Sequence, residues 1–289
     1  MISEVDEDAG LPGAAPVVGR VVTADGRDLT TFTWGSGPGL VVLEAGMGFS
    51  GRYWGPVARL SSAQATVVAY DRAGIGRSTP DPQPRTLDRL ASDLQAVIDA
   101  QGDRPVVLVG HSWGGPVVRR AAAVRPGRVE GLMLVDPADE GAALYDSRLF
   151  TWSERLQSVL LPGMAKVGLL SRSLSLLLGK DLPEPDRTAT LAASSTVGAA
   201  RAAVEESRHL RAGLQVLRGS GASVDVPVIV VSGVKRTPGD FGRTDLIAAH
   251  RLRAASFPAG RFVGASGSQH LVPVTEPEVV AREIAALLR

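Results

Sequence analysis

The sequence predicts a three-layer α/β/α architecture: a mostly parallel central sheet of about eight strands with helices on both faces and a helical insertion. Three observations predict it. Short, continuous apolar runs recur along the chain, and helical patterns alternate with them. Hydrophobic residues make up 44% of 289 positions, with 33 glycines besides, enough apolar surface for strands buried on both faces.

Taken in order, residues 1–13 are polar, end in Leu11-Pro12-Gly13 and read as a loose tail. The start, Met1 to Asp8, is acidic and has neither the basic nor the apolar region of a signal peptide, so a cytoplasmic chain is expected. Val17–Thr23 and Leu29–Trp34 read as a hairpin turned at Asp25-Gly26. The apolar runs follow: Leu40–Leu43, Thr66–Ala69, Val106–Val109, Leu132–Val135, Val228–Val231 and Arg261–Val263. Between them, Leu87, Leu90, Leu94, Val97 and Ile98 repeat at helical spacing, as do Val117, Val118, Ala121 and Ala122. Ile247, Leu252 and Ala255, then Val279, Val280, Ile284 and Leu287, complete the alternation. From Asp136 to Val226 the strands stop, and helical segments at 156–161, 169–178 and 199–217 take over. The expected organisation is a core domain from 14–137 and 224–289, with 138–223 as a helical cap.

Composition removes several function classes. Lys+Arg number 31 against 30 Asp+Glu, so the basic excess of a nucleic-acid-binding protein is missing. Aromatics at 4% are too few for base-stacking platforms. With no cysteine there is no disulfide, thiol nucleophile or Cys-based zinc site, and four histidines argue against a His-rich metal site. The longest apolar stretch, 156–178, is interrupted by Pro162, Lys166 and Arg172, a poor membrane span.

Chemistry concentrates at Gly110-His111-Ser112-Trp113-Gly114-Gly115, which leaves an apolar strand and enters a helical pattern. Gly-x-Ser-x-Gly in that context is what a nucleophile elbow requires. Gly110 and Gly114 permit a tight turn that presents the Ser112 hydroxyl above the sheet. The following helix directs its free N–H groups at developing negative charge.

With this motif, Leu43-Glu44-Ala45-Gly46-Met47-Gly48 and Tyr70-Asp71-Arg72-Ala73-Gly74-Ile75-Gly76-Arg77-Ser78, the chain from about Val17 onward resembles the α/β-hydrolases of the serine-nucleophile type. The resemblance implies an oxyanion loop after Leu40–Glu44, with the Met47 and Trp113 N–H groups as donors. Ala45-Gly46 stands where relatives more often carry His-Gly, a change that leaves backbone donors intact. It also implies a general base after the last strand, where His270 follows Gly264–Gln269. The other histidines have blander readings: His111 lies inside the elbow pointing away from Ser112, and His209 and His250 sit on helices.

The acid is less determined. The usual family slot after Val228–Val231 holds Arg236, a cation, so Asp240 or Asp245 could serve only through a longer loop. Asp136 ends the preceding strand, and catalytic groups of open α/β sheets gather beyond strand C-termini. Asp136 is therefore favoured over Asp240, with a turn cap as its competing role. Asp71 and Arg72 read as loop scaffolding, with Glu44 paired to Arg72.

The implied function is a cofactor-free, metal-free serine hydrolase cleaving a carboxylic ester or related acyl bond of a small, apolar substrate. Thioester, lactone, amide, C–C bond or peracid chemistry is the alternative within enzymes. A small-ligand-binding protein with a vestigial triad is the alternative outside them. The sequence leaves monomer and homodimer equally open.

Overall fold

The computed structural model describes residues 15–220, 224–237 and 242–289; the expected N-terminal tail and Asp240 lie outside the described residues. The chain opens with β1 (Val17–Val22) and β2 (Asp28–Glu44), then α1 (Gly55–Ser61), β3 (Ala65–Tyr70), α2 (Leu87–Asp99) and β4 (Val106–His111). It continues through α3 (Gly114–Val124) and β5 (Val129–Val135) into four successive helices. These are α4 (Arg148–Lys166), α5 (Leu169–Leu178), α6 (Asp186–Ser194) and α7 (Val197–Ser220). It closes with β6 (Val228–Gly233), α8 (Arg243–Ala255), β7 (Gly260–Ala265), α9 (Val272–Thr275) and α10 (Pro277–Leu287).

One sheet of seven strands results, in the order β1-β2-β4-β5-β6-β7 with β3 paired to β2. The β2–β4, β4–β5, β5–β6 and β6–β7 pairs are parallel, while β1 pairs antiparallel to β2. Seven replaces the expected eight because Leu29–Trp34 and Leu40–Leu43 join into the single long strand β2. Residues Thr31–Trp34 run against Tyr70–Val67, whereas Leu40–Leu43 advance in step with Thr66–Ala69 across the intervening register shifts. The separating stretch, Gly35-Ser36-Gly37-Pro38-Gly39, read as a break in the sequence and is instead where β2 bends.

Continuous apolar runs produce a sheet with two dry faces. Val42, Leu108, Leu134 and Val230 point to the layer containing α2 and α3. Their neighbours Val41, Val109, Val135 and Val231 point to the layer containing α1 and α10. Each fully buried Val or Leu contributes roughly 1.5–3 kcal/mol relative to exposure. Helix starts follow capping chemistry: Thr86 accepts from the Arg89 N–H at α2, and Ser147 from the Phe150 N–H at α4.

Helices α4–α7 lie between β5 and β6, with no strand among their described residues. Helix α7 ties this insert to the sheet, sending Leu210, Leu214 and Leu217 into the same core as α2 and α3. Asp186, fully buried at the start of α6, pairs with Arg52 at 2.8 Å and Arg59 at 2.5 Å. Among the described residues no single helix is long and apolar enough to cross a membrane.

Candidate active site

Parallel strands end together, so the residues just beyond β4, β5 and β7 meet at one edge of the sheet. Ser112 follows β4 with φ 54° and Asp136 follows β5 with φ 42°, the only non-glycine residues among those described with positive φ. Such backbone costs roughly 1–3 kcal/mol per residue and persists where the surroundings hold it. Both are pinned from the adjacent strand: the Ser112 N–H donates to Val135 C=O at 3.0 Å, and the Asp136 N–H to Val231 C=O at 2.7 Å. The elbow glycines are required by crowding. A Cβ on Gly110 would lie 2.3 Å from the Gly114 carbonyl oxygen, and one on Gly114 would lie 2.6 Å from that of Glu44.

His270, half exposed after β7, bridges the two. Its Nε2 lies 3.0 Å from Ser112 Oγ, and its Nδ1 lies 2.7 Å from Asp136 Oδ2. Ser112, His270 and Asp136, singled out in the sequence across 158 and 134 residues of separation, thus form one hydrogen-bonded chain. Asp245 is engaged elsewhere, accepting from the Leu144 N–H at 3.2 Å.

Asp136 is fully buried, and burial alone would raise its pKa. The hydrogen bond and charge of His270, the ion pair with Arg243 and the proximity of His250 outweigh burial and hold the carboxyl well below the usual range. Arg243 grips it with both terminal nitrogens, Nη1 at 2.9 Å from Oδ2 and Nη2 on Oδ1. The Gly233 N–H adds a bond of 3.0 Å to Oδ1. Arg243 was missed in the sequence because 107 residues separate it from Asp136 and no local motif marks it. His250 is a satisfied buried histidine, as its helix position suggested: its ring nitrogens engage Ser232 Oγ and Pro137 C=O, each at 2.8 Å.

His111 also turns away from Ser112. The Tyr53 hydroxyl accepts from the Gly46 N–H at 3.1 Å and so presents its own proton to His111 Nδ1 at 2.9 Å. His111 then carries its proton on Nε2 and donates it to the His270 carbonyl at 2.9 Å. Burial, with the neighbouring His270 charge, pushes its pKa down to about 3 and keeps the ring neutral. Tyr53 and His111 thereby connect the loop at Gly46 to the backbone of His270, a role the sequence did not display.

The loop after β2 is held from below. Arg72, fully buried, donates to the Ala45 carbonyl at 2.8 Å and the Gly46 carbonyl at 2.5 Å. It pairs with Glu44 at 3.4 Å, as its sequence neighbourhood suggested, and with Glu206 of α7 at 2.9 Å. Burial pushes Glu44 up to about 7, against the opposing pull of Arg72 and the Tyr70 hydroxyl. Asp71 serves as scaffolding, accepting from the Ser50 hydroxyl at 2.5 Å and the Gly51 N–H at 2.9 Å. Met47 and Trp113 border Ser112, and among the described residues neither backbone N–H donates a hydrogen bond within the chain.

A cavity of about 200 Å³ reaches Ser112, bordered by Met47, Trp113, Tyr145, Phe150 and Leu210. It shares Met47, Glu154, Gln157 and Ser207 with a second cleft of about 450 Å³ between α4 and α7, where Arg155, Arg208 and Arg211 stand. The outer cleft is more cationic than the leucine-rich insert suggested. Among the described residues, no group of three or more His, Asp or Glu side chains could hold a metal ion.

The fold has relatives among known proteins. Residues 40–283 match the profile of the Alpha/beta hydrolase family. Lipase LipV of Mycobacterium tuberculosis is 45% identical over 114 residues, 39% of this chain and 42% of that protein. A non-heme chloroperoxidase of Streptomyces lividans is 36% identical over 121 residues, 41% of this chain and 44% of that protein. These matches therefore span about two fifths of the relatives' length. Among solved structures, Cfl2 of Burkholderia cenocepacia superposes with a TM-score of 0.79 at 22% identity, covering 98% of both chains. That likeness is one of fold.

Proposed function

Since the chain belongs to the Alpha/beta hydrolase family, we propose that it is a serine hydrolase that cleaves an ester or related acyl bond through an acyl-enzyme. The observation that carries the reading is the chain of contacts from Ser112 Oγ through His270 to Asp136, at 3.0 and 2.7 Å. His270 Nε2 removes the hydroxyl proton as Ser112 attacks the carbonyl, and Asp136 accepts from Nδ1–H and fixes the tautomer that leaves Nε2 free. The unpartnered Met47 and Trp113 N–H groups receive the oxyanion, each such donor being worth roughly 3–4 kcal/mol in the transition state. Protonated His270 then gives its proton to the leaving group, and water repeats the cycle on the acyl-serine.

Residues 138–223 act in this reading as a cap, and the inner cavity takes the apolar part of a small acyl substrate. The insert supports this through Tyr145, Phe150 and Leu210, which border the space above Ser112. A chromogenic short-chain ester should give a burst of product followed by steady turnover, and Ser112→Ala should remove both. Tight ligand binding with no burst would favour a binding protein with a vestigial triad. Turnover that survives Ser112→Ala would overturn the nucleophile.

A further inference from the structure

We propose that the outer face of α4 and α5 docks the protein onto an anionic lipid surface, the two helices lying in the plane of the interface. None of the nineteen residues of α4 is buried, although the helix is rich in large apolar side chains. Leu149, Trp152, Leu156, Val159 and Leu160 are all exposed and recur at helical spacing, forming one apolar stripe that faces outward. Val167 at the bend and Leu169, Leu176 and Leu177 of α5 are exposed as well. Nine of the sixteen exposed large apolar side chains among the described residues fall within 149–177, about a tenth of the chain. A soluble surface that scatters its apolar residues does not concentrate them so.

Charge identifies the occupant. Arg148, Arg155 and Lys166 follow the same helical spacing along one flank of the stripe, and Arg172 and Lys180 lie on and just after α5. All five are exposed. The only acidic residue between 148 and 180 is Glu154, which turns inward to Arg211 at 3.2 Å. An apolar stripe bordered by cations is the pattern of a helix that rests in an anionic headgroup layer. A second copy of the chain is a poor occupant, because a two-fold contact would set this basic face against itself. The helices suit lying flat rather than crossing: only together are they long and apolar enough to span, and they bend by 105°. The cleft between α4 and α7 carries Arg155 at its border, so docking would bring its mouth beside the lipid surface.

Trp152 makes the test direct, since it is 61% exposed while Trp34, Trp54 and Trp113 are at most 1% exposed. The full chain is titrated with vesicles of phosphatidylcholine alone and with 30% phosphatidylglycerol, following tryptophan emission and co-sedimentation. The expected result is a blue shift and co-sedimentation with the anionic vesicles only, reversed by high salt. Each cation near such a surface is worth roughly fivefold in partitioning. Lys166→Gln, Arg172→Gln and Lys180→Gln combined should therefore weaken it on the order of a hundredfold. Val159→Ser with Leu176→Ser should abolish the blue shift while circular dichroism and thermal unfolding stay unchanged. These positions are exposed, so lost partitioning in a folded variant reports docking. Three results would overturn the proposal: no partitioning into anionic vesicles, equal partitioning into both compositions, or a Trp152 shift that follows protein concentration without lipid.

Discussion

Replacing Glu44 with glutamine should raise stability by just under about 1 kcal/mol at pH 5 and by about 3 kcal/mol at pH 8. A string of ion pairs runs from Glu44 to Arg72, Glu206, Arg85, Asp93, Arg27, Asp81, Arg89 and Asp25. It holds five carboxylates against four guanidiniums, a surplus of one negative charge. Its fully buried end is Glu44, whose other partner is the Tyr70 hydroxyl, an acceptor-seeking group that a neutral side-chain oxygen also satisfies. Burial accordingly raises the Glu44 pKa from 4.5 to about 7. Below pH 4.5 the carboxyl is protonated in both folded and unfolded chains, and it contributes nothing to the pH dependence. Between there and about 7 the unfolded chain releases the proton while the folded one keeps it, so stability falls as pH rises. At higher pH the loss is constant at about 3 kcal/mol, from 1.36 kcal/mol per pKa unit.

The assay is urea unfolding of both proteins from pH 5 to pH 9, with the difference in free energy plotted against pH. The difference matters because other groups titrate too. Asp71, raised to about 6, acts in the same direction as Glu44, and His111, lowered to about 3, acts in the opposite one. Both cancel between wild type and variant. Glu206→Gln is the contrasting control: it leaves the same charge balance, but Glu206 bridges Arg72 and Arg85, so its loss breaks two buried ion pairs in the middle of the string rather than one at its end. That variant should lose roughly 3–5 kcal/mol at pH 8, where Glu44→Gln gains stability. A Glu44→Gln difference that is flat with pH, or one that favours wild type at pH 8, would refute the charge count.

Three further outcomes follow from the same geometry. Asp136→Asn should lower kcat on the order of 10⁴-fold in ester hydrolysis at pH 7, whereas Asp240→Asn and Asp245→Asn should stay within a few fold; the reverse ranking would move the acid. Arg243→Met leaves the buried Asp136 carboxylate short of a partner and should cost roughly 3–5 kcal/mol in urea unfolding at pH 7. Because Asp136 is held below its usual range, it contributes stability at neutral pH that is lost on acidification, and this acid-labile portion should shrink in the variant. Tyr53→Phe leaves the Gly46 N–H and His111 Nδ1 unpaired in a buried site and should cost roughly 1–3 kcal/mol per group. Because Gly46 precedes Met47, kcat should fall as well, by more than KM changes.

What could be read from the sequence was local chemistry in a recognisable order. Gly110 is forced by a backbone crossing within the elbow itself and Gly114 by the end of the neighbouring strand at Glu44, so the motif carries part of its own geometry. Parallel strands announce themselves by apolar runs, and their C-termini then mark where Ser112, Asp136 and His270 converge. Arg236 at the family's usual acid slot even directed attention to Asp136 by exclusion. What stayed hidden was relational. Arg243, Glu206 and Tyr53 carry no motif, because an ion pair or hydrogen bond between residues far apart leaves no periodic trace. The bend of β2 was equally invisible, since a glycine-rich gap reads alike whether the chain breaks or continues there. The hidden contacts share one property: they hold the loop carrying Met47 and the carboxylate of Asp136 from outside the triad. Arg72 is where this becomes mechanical. One side of its guanidinium fixes the carbonyls of Ala45 and Gly46, and the other reaches Glu206 on α7. A shift of α7 therefore acts on the same guanidinium that positions the loop above Ser112, so the insert that borders the cavity also bears on the loop proposed to receive the oxyanion.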